Sequence, residues 1–181
     1  MSILKVARIG NPVVRVTARP VSREELASPE LQRIIDDMIA TMHEYEGVGV
    51  AAPQVHVPLR LAVLEVPTTD RRSASVVPLT VLVNPRVTPI GDETLDGWEG
   101  CLSVPELRGL VPRFRRVRLE ALDRKGHAFV VEAEGFHARV IQHECDHLDG
   151  RVYLDRMRDM QSLAFLHELE RYVLAEKDED E

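Results

Sequence analysis

The sequence has 181 residues, of which 44% are hydrophobic and 29% are charged, proportions typical of a soluble globular protein. This length predicts one domain, residues 1–181, with a substantial hydrophobic core. The net charge of −7 argues against a protein that binds DNA or anionic membranes, since both functions need a positively charged face. No apolar run approaches the length of a membrane span.

The N-terminal segment and the number of cysteines indicate the cellular compartment. The N-terminal segment MSILKVARIG lacks the charged, apolar and small-residue regions of a signal peptide. Two cysteines, Cys101 and Cys145, are too few for a disulfide framework. We therefore expect a cytoplasmic protein in which a thiol is available for metal binding or catalysis.

The first half of the chain predicts one helix followed by two strands. Ser28 precedes a proline and begins a helical repeat of hydrophobic residues, which ends where the glycine-containing segment GVGVAAPQ (47–54) begins. Hydrophobic runs at 59–66 and 79–84 predict strands. The polar segment between them, 67–78, predicts a loop.

The second half predicts a hairpin and then a second helix. Segments 116–123 and 127–134 flank a turn and predict paired strands. A helix is expected from Gly135 to about Leu148, with Gly150 placed to terminate it. The chain then predicts a short strand at 152–154, an amphipathic helix at 163–173 and an acidic tail at 176–181.

The segment QHECDHLDG (142–150) contains the pattern His-Glu-x-x-His. On a helix, His143 and His147 lie on one face and can bind one metal ion, with Glu144 beside them. Two imidazoles supply only half of a tetrahedral site, so a further protein ligand is expected. Cys145 lies about 200° around the helix from the histidines and is predicted to be a packing thiol.

Three sources of the third ligand can be compared. The longer metalloprotease signature requires histidine at position 153, where this chain has Tyr153, so that option is excluded. A glutamate from a later helix, Glu168 or Glu170, would make a zinc endopeptidase. Cys101, within EGCLSVP, would supply a thiolate. Spacing alone leaves the last two open, together with a non-catalytic metal-binding or thiol-redox protein.

Three motifs in order, GVGVAAPQ, EGCLSVP and QHECDHLDG, resemble those of the bacterial peptide deformylases. The flanking segments IGNPVVR, LVNP and LRGLVPR agree, so the resemblance extends from about residue 3 to residue 158. It implies a metal-dependent hydrolase that removes the N-formyl group from the formylmethionine of newly synthesised proteins and releases formate. The expected fold is α+β, with antiparallel strands packed around a central helix that carries the His-Glu-x-x-His motif, plus a C-terminal helix.

The resemblance also implies a set of site residues. The metal ligands would be Cys101, His143 and His147, which leaves one coordination position for water. Glu144 would accept a proton from that water and deliver it to the departing amine. The side-chain amide of Gln54 and the backbone N–H of Leu102 would stabilise the oxyanion.

Substrate contacts are expected from two segments. Phe136 and Val140 precede the histidines on the helical wheel and would form an apolar pocket for the methionine side chain. Val48 and Gly49 would offer main-chain groups to an extended N-formylmethionyl peptide. The resemblance implies Fe²⁺ as the metal, and Zn²⁺, Ni²⁺ or Co²⁺ are also compatible with thiolate and imidazole ligands.

Two features depart from the resemblance. Arg139 lies one turn before His143, where other family members can have an aliphatic residue. Its guanidinium is expected to extend into water over an apolar stem, and the alternative is that it favours particular substrate positions beyond the methionine. In parts of the family the C-terminal helix docks on the ribosome near the exit tunnel. Here the chain ends in EKDEDE, so the tail itself is not expected to bind RNA.

Overall fold

The computed structural model of the protein describes residues 2–68 and 76–174. The predicted acidic tail at 176–181 and most of the predicted loop at 67–78 lie outside the described residues. Over these two ranges, none of the helices combines the length and the apolar character needed to cross a membrane.

The two long helices lie where the sequence predicts them. Ser28 caps the first, because its side-chain oxygen accepts a hydrogen bond from the Leu31 N–H and its hydroxyl donates to the Glu25 carbonyl. The second carries the His-Glu-x-x-His motif and ends one residue before Asp149. The helices are α1 (Arg23–Ala27), α2 (Pro29–Glu44), α3 (Gly135–Leu148) and α4 (Leu166–Leu169).

The strands of the described residues form two antiparallel sheets. The larger has the order β1-β2-β3-β6-β7, and β6 and β7 form the predicted hairpin. The smaller has the order β4-β5-β8. The strands are β1 (Gly49–Ala51), β2 (Leu61–Val66), β3 (Val77–Pro89), β4 (Thr94–Cys101), β5 (Val104–Phe114), β6 (Arg116–Leu122), β7 (Ala128–Glu134) and β8 (Ala164–Phe165).

Strand β2 of the larger sheet is buried on both faces, one against each long helix. In β2, Val63 belongs to the core that contains Met38 of α2, whereas the next residue, Leu64, belongs to the core that contains Ile141 of α3. This alternation explains why β2 is apolar at nearly every position instead of at every second one. Helix α3 therefore lies between the larger sheet and strand β5, as the predicted α+β fold requires.

Two predictions for the C-terminal region are wrong in detail. Residues 152–154 do not form a strand, because the Asp155 carboxylate accepts the Val152 N–H and starts a 3₁₀ turn at Tyr153–Arg156. The last α-helix begins at Leu166 and not at 163, because Ala164–Phe165 pairs with β5 as strand β8. In the first case a local side-chain hydrogen bond replaces the predicted conformation, and in the second case pairing with a distant strand does so.

We expect Ser28→Ala to lower the free energy of unfolding by about 1 kcal/mol, because the first turn of α2 loses its side-chain cap. Ser28→Thr is the matched control, since it keeps a hydroxyl that can accept and donate, and it should retain most of the stability. Urea denaturation followed by circular dichroism measures both. Equal losses in the two variants would show that the hydroxyl does not cap the helix.

Candidate active site

Helix α3 and strand β4 bring three potential metal ligands together. His143 and His147, four residues apart, have ring centroids 5.0 Å apart and an interplanar angle of 74°. Cys101 is the last residue of β4, and its Sγ lies 3.2 Å from His147 Nε2. Ligand atoms of all three residues lie within 4.8 Å of one another, which is the spacing expected of donors around one ion.

The other candidate ligands lie elsewhere. In the part of the chain that the structure describes, neither Glu168 nor Glu170 joins such a donor group, and Glu168 contacts His167 on the surface at 2.9 Å. Cys145 is buried in the core between α3 and the larger sheet, and burial raises the pKa of its thiol to about 12. It is the packing thiol that its position on the helix predicts.

The electrostatics of Cys101 suit a metal ligand. Burial by itself would raise the pKa of this thiol, but the neighbouring His147 and His143 outweigh burial and hold the pKa well below its usual range. The thiolate is the form that binds metals. One thiolate and two imidazoles are a donor set that fits Zn²⁺, Fe²⁺, Ni²⁺ or Co²⁺.

Glu99 fixes the orientation of the His143 ring. Its Oε2 lies 2.8 Å from His143 Nδ1, so the proton on Nδ1 is held there and Nε2 is left to bind a metal. Arg113 donates to both oxygens of the same carboxylate, from Nε at 2.9 Å and from Nη2 at 2.9 Å. Burial opposes ionisation of Glu99, but Arg113 and His143 keep its pKa well below the usual range. Arg113 also contacts Asp146, the residue before His147.

The expectation that Arg139 extends into water is wrong. The residue is only 9% exposed, and its guanidinium donates to Glu99 Oε1 at 2.8 Å. The backbone carbonyls of Leu95 and Val111 also accept from it. The reason is that strands β4 and β5 pack beside this turn of α3 and place acceptors where an isolated helix would meet solvent.

Glu144 lies beside the three donors and is itself buried at 3% exposure. Among the described residues, its Oε2 atom has no hydrogen-bond partner. Burial raises the pKa of this carboxyl to about 7. Gly49 makes room for it, since a Cβ atom at that position would lie 2.3 Å from Glu144 Oε1. The carboxylate therefore packs against a bare stretch of backbone in β1.

The side-chain amide of Gln54 has a defined orientation. Its Oε1 accepts the Ala51 N–H at 2.8 Å, so Nε2 points the other way. Nε2 lies 3.4 Å from Cys101 Sγ and 3.2 Å from Ser103 Oγ. The amide nitrogen therefore faces Cys101 of the ligand cluster and the neighbouring Ser103 hydroxyl.

One cavity of about 380 Å³ joins these residues, a volume suited to a small ligand or a peptide end. His147 is not among its lining residues, since it is 1% exposed and lies behind Cys101. The other predicted site residues all line it: Val48, Gly49, Gln54, Cys101, Leu102, Phe136, Val140, His143 and Glu144.

The polypeptide deformylase family model matches residues 3–163. The chain belongs to the polypeptide deformylase family. It is 50% identical over 161 residues to peptide deformylase 1 of Bordetella pertussis, covering 88% of this chain and 90% of that one. It is 46% identical over 164 residues to peptide deformylase 2 of Pseudomonas putida, covering 90% and 92%.

Solved structures agree with the sequence relatives. A class I type b peptide deformylase from Acinetobacter baumannii, with Met-Ala-Ser bound, superposes with a TM-score of 0.82 at 40% identity, covering 87% of this chain and 100% of that chain. The Thermotoga maritima peptide deformylase gives 0.78 at 34% identity, covering 88% and 100%. Deformylation of N-formylmethionyl peptides by a metal-dependent hydrolase is the function of this family. The resemblance, the fold class and the function predicted from the sequence are therefore confirmed.

Sequence reasoning missed the residues that support the deformylase site. Glu99 lies two positions before Cys101, within the motif EGCLSVP. A carboxylate so close to a potential ligand indicates a residue that can orient a metal-binding histidine. Arg113 ends the flanking segment LRGLVPR and Arg139 departs from the family pattern, but neither position indicates a contact with Glu99. Their role depends on which strands pack over α3.

We expect Glu99→Ala to weaken Zn²⁺ binding about 10- to 100-fold, because His143 loses the acceptor that orients it. The free energy of unfolding should also fall by about 3–5 kcal/mol, because a buried arginine loses its carboxylate. Competition with a chromophoric chelator and urea denaturation measure the two effects.

Glu93→Ala is the matched control for that variant. Glu93 belongs to the same region of the chain but pairs with Arg115 at the surface, where its side chain is 61% exposed. It should retain the Zn²⁺ affinity of the wild type. Unchanged Zn²⁺ affinity in Glu99→Ala would show that the carboxylate does not support the ligand.

Proposed function

We propose that Cys101, His143 and His147 bind one divalent metal ion, and that the residues around them hydrolyse the formyl amide of N-formylmethionyl peptides. One observation carries this assignment. The three ligand atoms lie within 4.8 Å of one another, and a buried carboxylate, Glu144, faces the same cavity. A bound ion would polarise the formyl oxygen and lower the pKa of a water molecule to about 7.

The native metal in this proposal is Fe²⁺. The donor set of one thiolate and two imidazoles is equally compatible with Zn²⁺, Ni²⁺ and Co²⁺, so the assignment rests on the family. Metal analysis of protein purified without oxygen tests it directly, with iron expected at about one ion per chain, the stoichiometry of a single three-ligand site.

Glu144 is the proposed general base and acid. The carboxylate accepts a proton from the attacking water as the oxygen bonds to the formyl carbon. The same carboxyl then donates the proton to the amine nitrogen as the C–N bond breaks, giving formate and a free amino terminus. Its position beside the ligand cluster and its exclusion from bulk water support this role.

Gln54 and Leu102 are the proposed donors to the oxyanion. Because the Ala51 N–H holds the amide oxygen of Gln54, the amide nitrogen is turned toward Cys101 before any substrate binds. Leu102 follows the ligand cysteine directly and lines the same cavity, so its backbone lies next to the reacting group. Donors fixed in advance need no reorganisation during the reaction, which is the basis of oxyanion stabilisation.

The residues proposed to bind the substrate line the same cavity. Phe136 and Val140 form an apolar wall that suits the methionine side chain. Strand β1 is an edge strand of the larger sheet, and the Val48 carbonyl already accepts the Glu65 N–H from β2. Since successive residues of a strand direct their backbone groups to opposite sides, those of Gly49 face the open edge, where an extended peptide can pair.

We also propose that the chain is one catalytic domain that acts in the cytoplasm, near the ribosomal exit tunnel where formylated chains appear. Two arginines of the C-terminal region are already paired within the protein, Arg156 with Asp146 and Arg158 with Asp96. Docking by this region would thus have to displace or bypass existing ion pairs. Co-sedimentation with ribosomes tests the association.

We expect metal-loaded wild type to release formate from formyl-Met-Ala-Ser and Glu144→Ala to do so about 10²- to 10⁴-fold more slowly, because proton transfer is lost. The variant should still hold its metal, since Glu144 is not a ligand. Coupled formate detection and metal analysis measure the two properties on the same samples.

Glu120→Ala is the control for that experiment, since Glu120 lies on the surface of β6 and pairs with Arg118. It should keep the rate of the wild type. Full activity in Glu144→Ala would exclude the proposed role of the carboxylate. Absence of formate release by metal-loaded wild type would reject the assignment as a whole.

A further inference from the structure

Arg139 crosses from helix α3 to both long strands of the smaller sheet. Its Nη2 donates to the Leu95 carbonyl at 2.6 Å, and its Nη1 donates to the Val111 carbonyl at 2.8 Å and to Glu99 Oε1 at 2.8 Å. The Gly97 carbonyl lies 3.3 Å from the same Nη1. A single side chain of the helix thus contacts three points of β4 and one of β5.

Strand β4 is shaped to receive this guanidinium. A Cβ atom on Gly97 would lie 2.8 Å from Cζ and Nη2 of Arg139 and 3.0 Å from its Nε. Any side chain at position 97 would therefore push the guanidinium off its acceptors. Gly97 and Arg139 are therefore complementary, because the guanidinium of Arg139 occupies the space that a side chain at position 97 would fill.

The elements that Arg139 joins are those that carry the proposed metal ligands. Strand β4 ends at Cys101, two residues after Glu99, and α3 presents His143 one turn after Arg139. Glu99 Oε1 accepts from Arg139 and also from Arg113, while Oε2 accepts from Arg113 and contacts His143. The guanidinium therefore restrains both the strand that holds the thiolate and the carboxylate that orients an imidazole.

We propose that Arg139 is a positioning residue of the metal centre, which holds the strand bearing Cys101 at a fixed distance from the helix bearing His143 and His147. This inference rests on the proposed function of the three ligands. Its physical basis is preorganisation: ligands that are already at the spacing of a bound ion lose little conformational freedom when the ion binds.

A different role for Arg139 would be to select substrates. The residue lines the substrate cavity, and a free guanidinium there would attract an acidic side chain. Its hydrogen bonds to Glu99 and to the strand carbonyls favour positioning over selection, because those donors are already engaged and the residue is only 9% exposed. The two roles give different results in the same experiment.

The test uses Co²⁺ as the probe metal, because its visible spectrum reports both thiolate ligation and coordination geometry. Arg139→Met keeps an unbranched apolar stem and removes the charge and the donors. We expect Co²⁺ affinity, measured by chelator competition, to fall about 10- to 100-fold. The ligand-field bands should shift, and kcat for a formyl-Met peptide should fall with little change in KM.

Two further variants separate positioning from charge. Arg139→Lys keeps the positive charge, but a single ammonium cannot contact both strands. Its Co²⁺ affinity should therefore lie between that of Arg139→Met and that of the wild type. Gly97→Ala leaves Arg139 intact and displaces its guanidinium, so it should change the Co²⁺ spectrum in the same direction as Arg139→Met. If Arg139→Met does not fold, these two variants carry the test.

The double variant Gly97→Ala/Arg139→Met tests the pairing itself. Once the guanidinium is gone, the added methyl group meets no obstacle, so the loss should be smaller than the sum of the two single losses. Arg118→Met, at an exposed arginine of β6, is the control and should match the wild type in affinity, spectrum and rate.

Several results would overturn the inference. If Arg139→Met folds and has the Co²⁺ affinity and spectrum of the wild type, Arg139 has only a structural role. The same unchanged spectrum with a new preference between formyl-Glu and formyl-Met peptides would make it a specificity residue instead. Failure of the wild type to show a thiolate-to-Co²⁺ band would overturn the proposed metal site, and the role of Arg139 with it.

Discussion

The buried carboxylate of Glu99 accepts hydrogen bonds from an arginine of β5 and an arginine of α3, and it contacts the Nδ1 atom of His143. Taking a carboxylate out of water is costly unless cations and donors surround it, and here Arg113 and Arg139 meet that requirement. Because Glu99 lies on β4 and its partners lie on β5 and α3, the same contacts that keep Glu99 ionised also fix the packing of α3 against the β4–β5 hairpin. The ligand geometry depends on this packing.

Two side chains of α3 at the proposed site pack directly against glycine backbone in the neighbouring strands. Glu144 lies against Gly49 of β1, and Arg139 lies against Gly97 of β4, in each case where a Cβ atom would collide. Helix α3 can therefore present a carboxylate to one sheet and a guanidinium to the other. A Cβ atom at either glycine would displace the carboxylate of Glu144 or the guanidinium of Arg139 from its present position.

The cavity is polar in the part where we propose that the reaction takes place, and it is apolar beside that part. Gln54, Cys101 and Glu144 gather at one part of its lining, while Phe136 and Val140 supply the apolar wall. Helix α2 packs against β1 and β2 on the face opposite α3. Under the proposed function, an edge strand suits an enzyme that acts on many nascent chains, because backbone pairing does not depend on the sequence of the peptide.

Local patterns in the sequence determined the helix that Ser28 caps, the helix that carries the motif, the β6–β7 hairpin and the placement of His143 and His147 on one face. These features follow from helical and strand periodicity, which acts over a few residues. The three motifs also determined the family. The tertiary structure alone decided the rest.

Strands β4 and β5 contain glycines and prolines that locally favour turns, and only long-range pairing makes them a hairpin. Spacing could not decide between Cys101 and a later glutamate, because the chain between a distant ligand and the helix can take many paths. A helical wheel places Arg139 in solvent, because it does not show which strands cover this part of the helix. The contacts of a buried charge are set by packing between elements distant in sequence, and those contacts exist only in the folded chain.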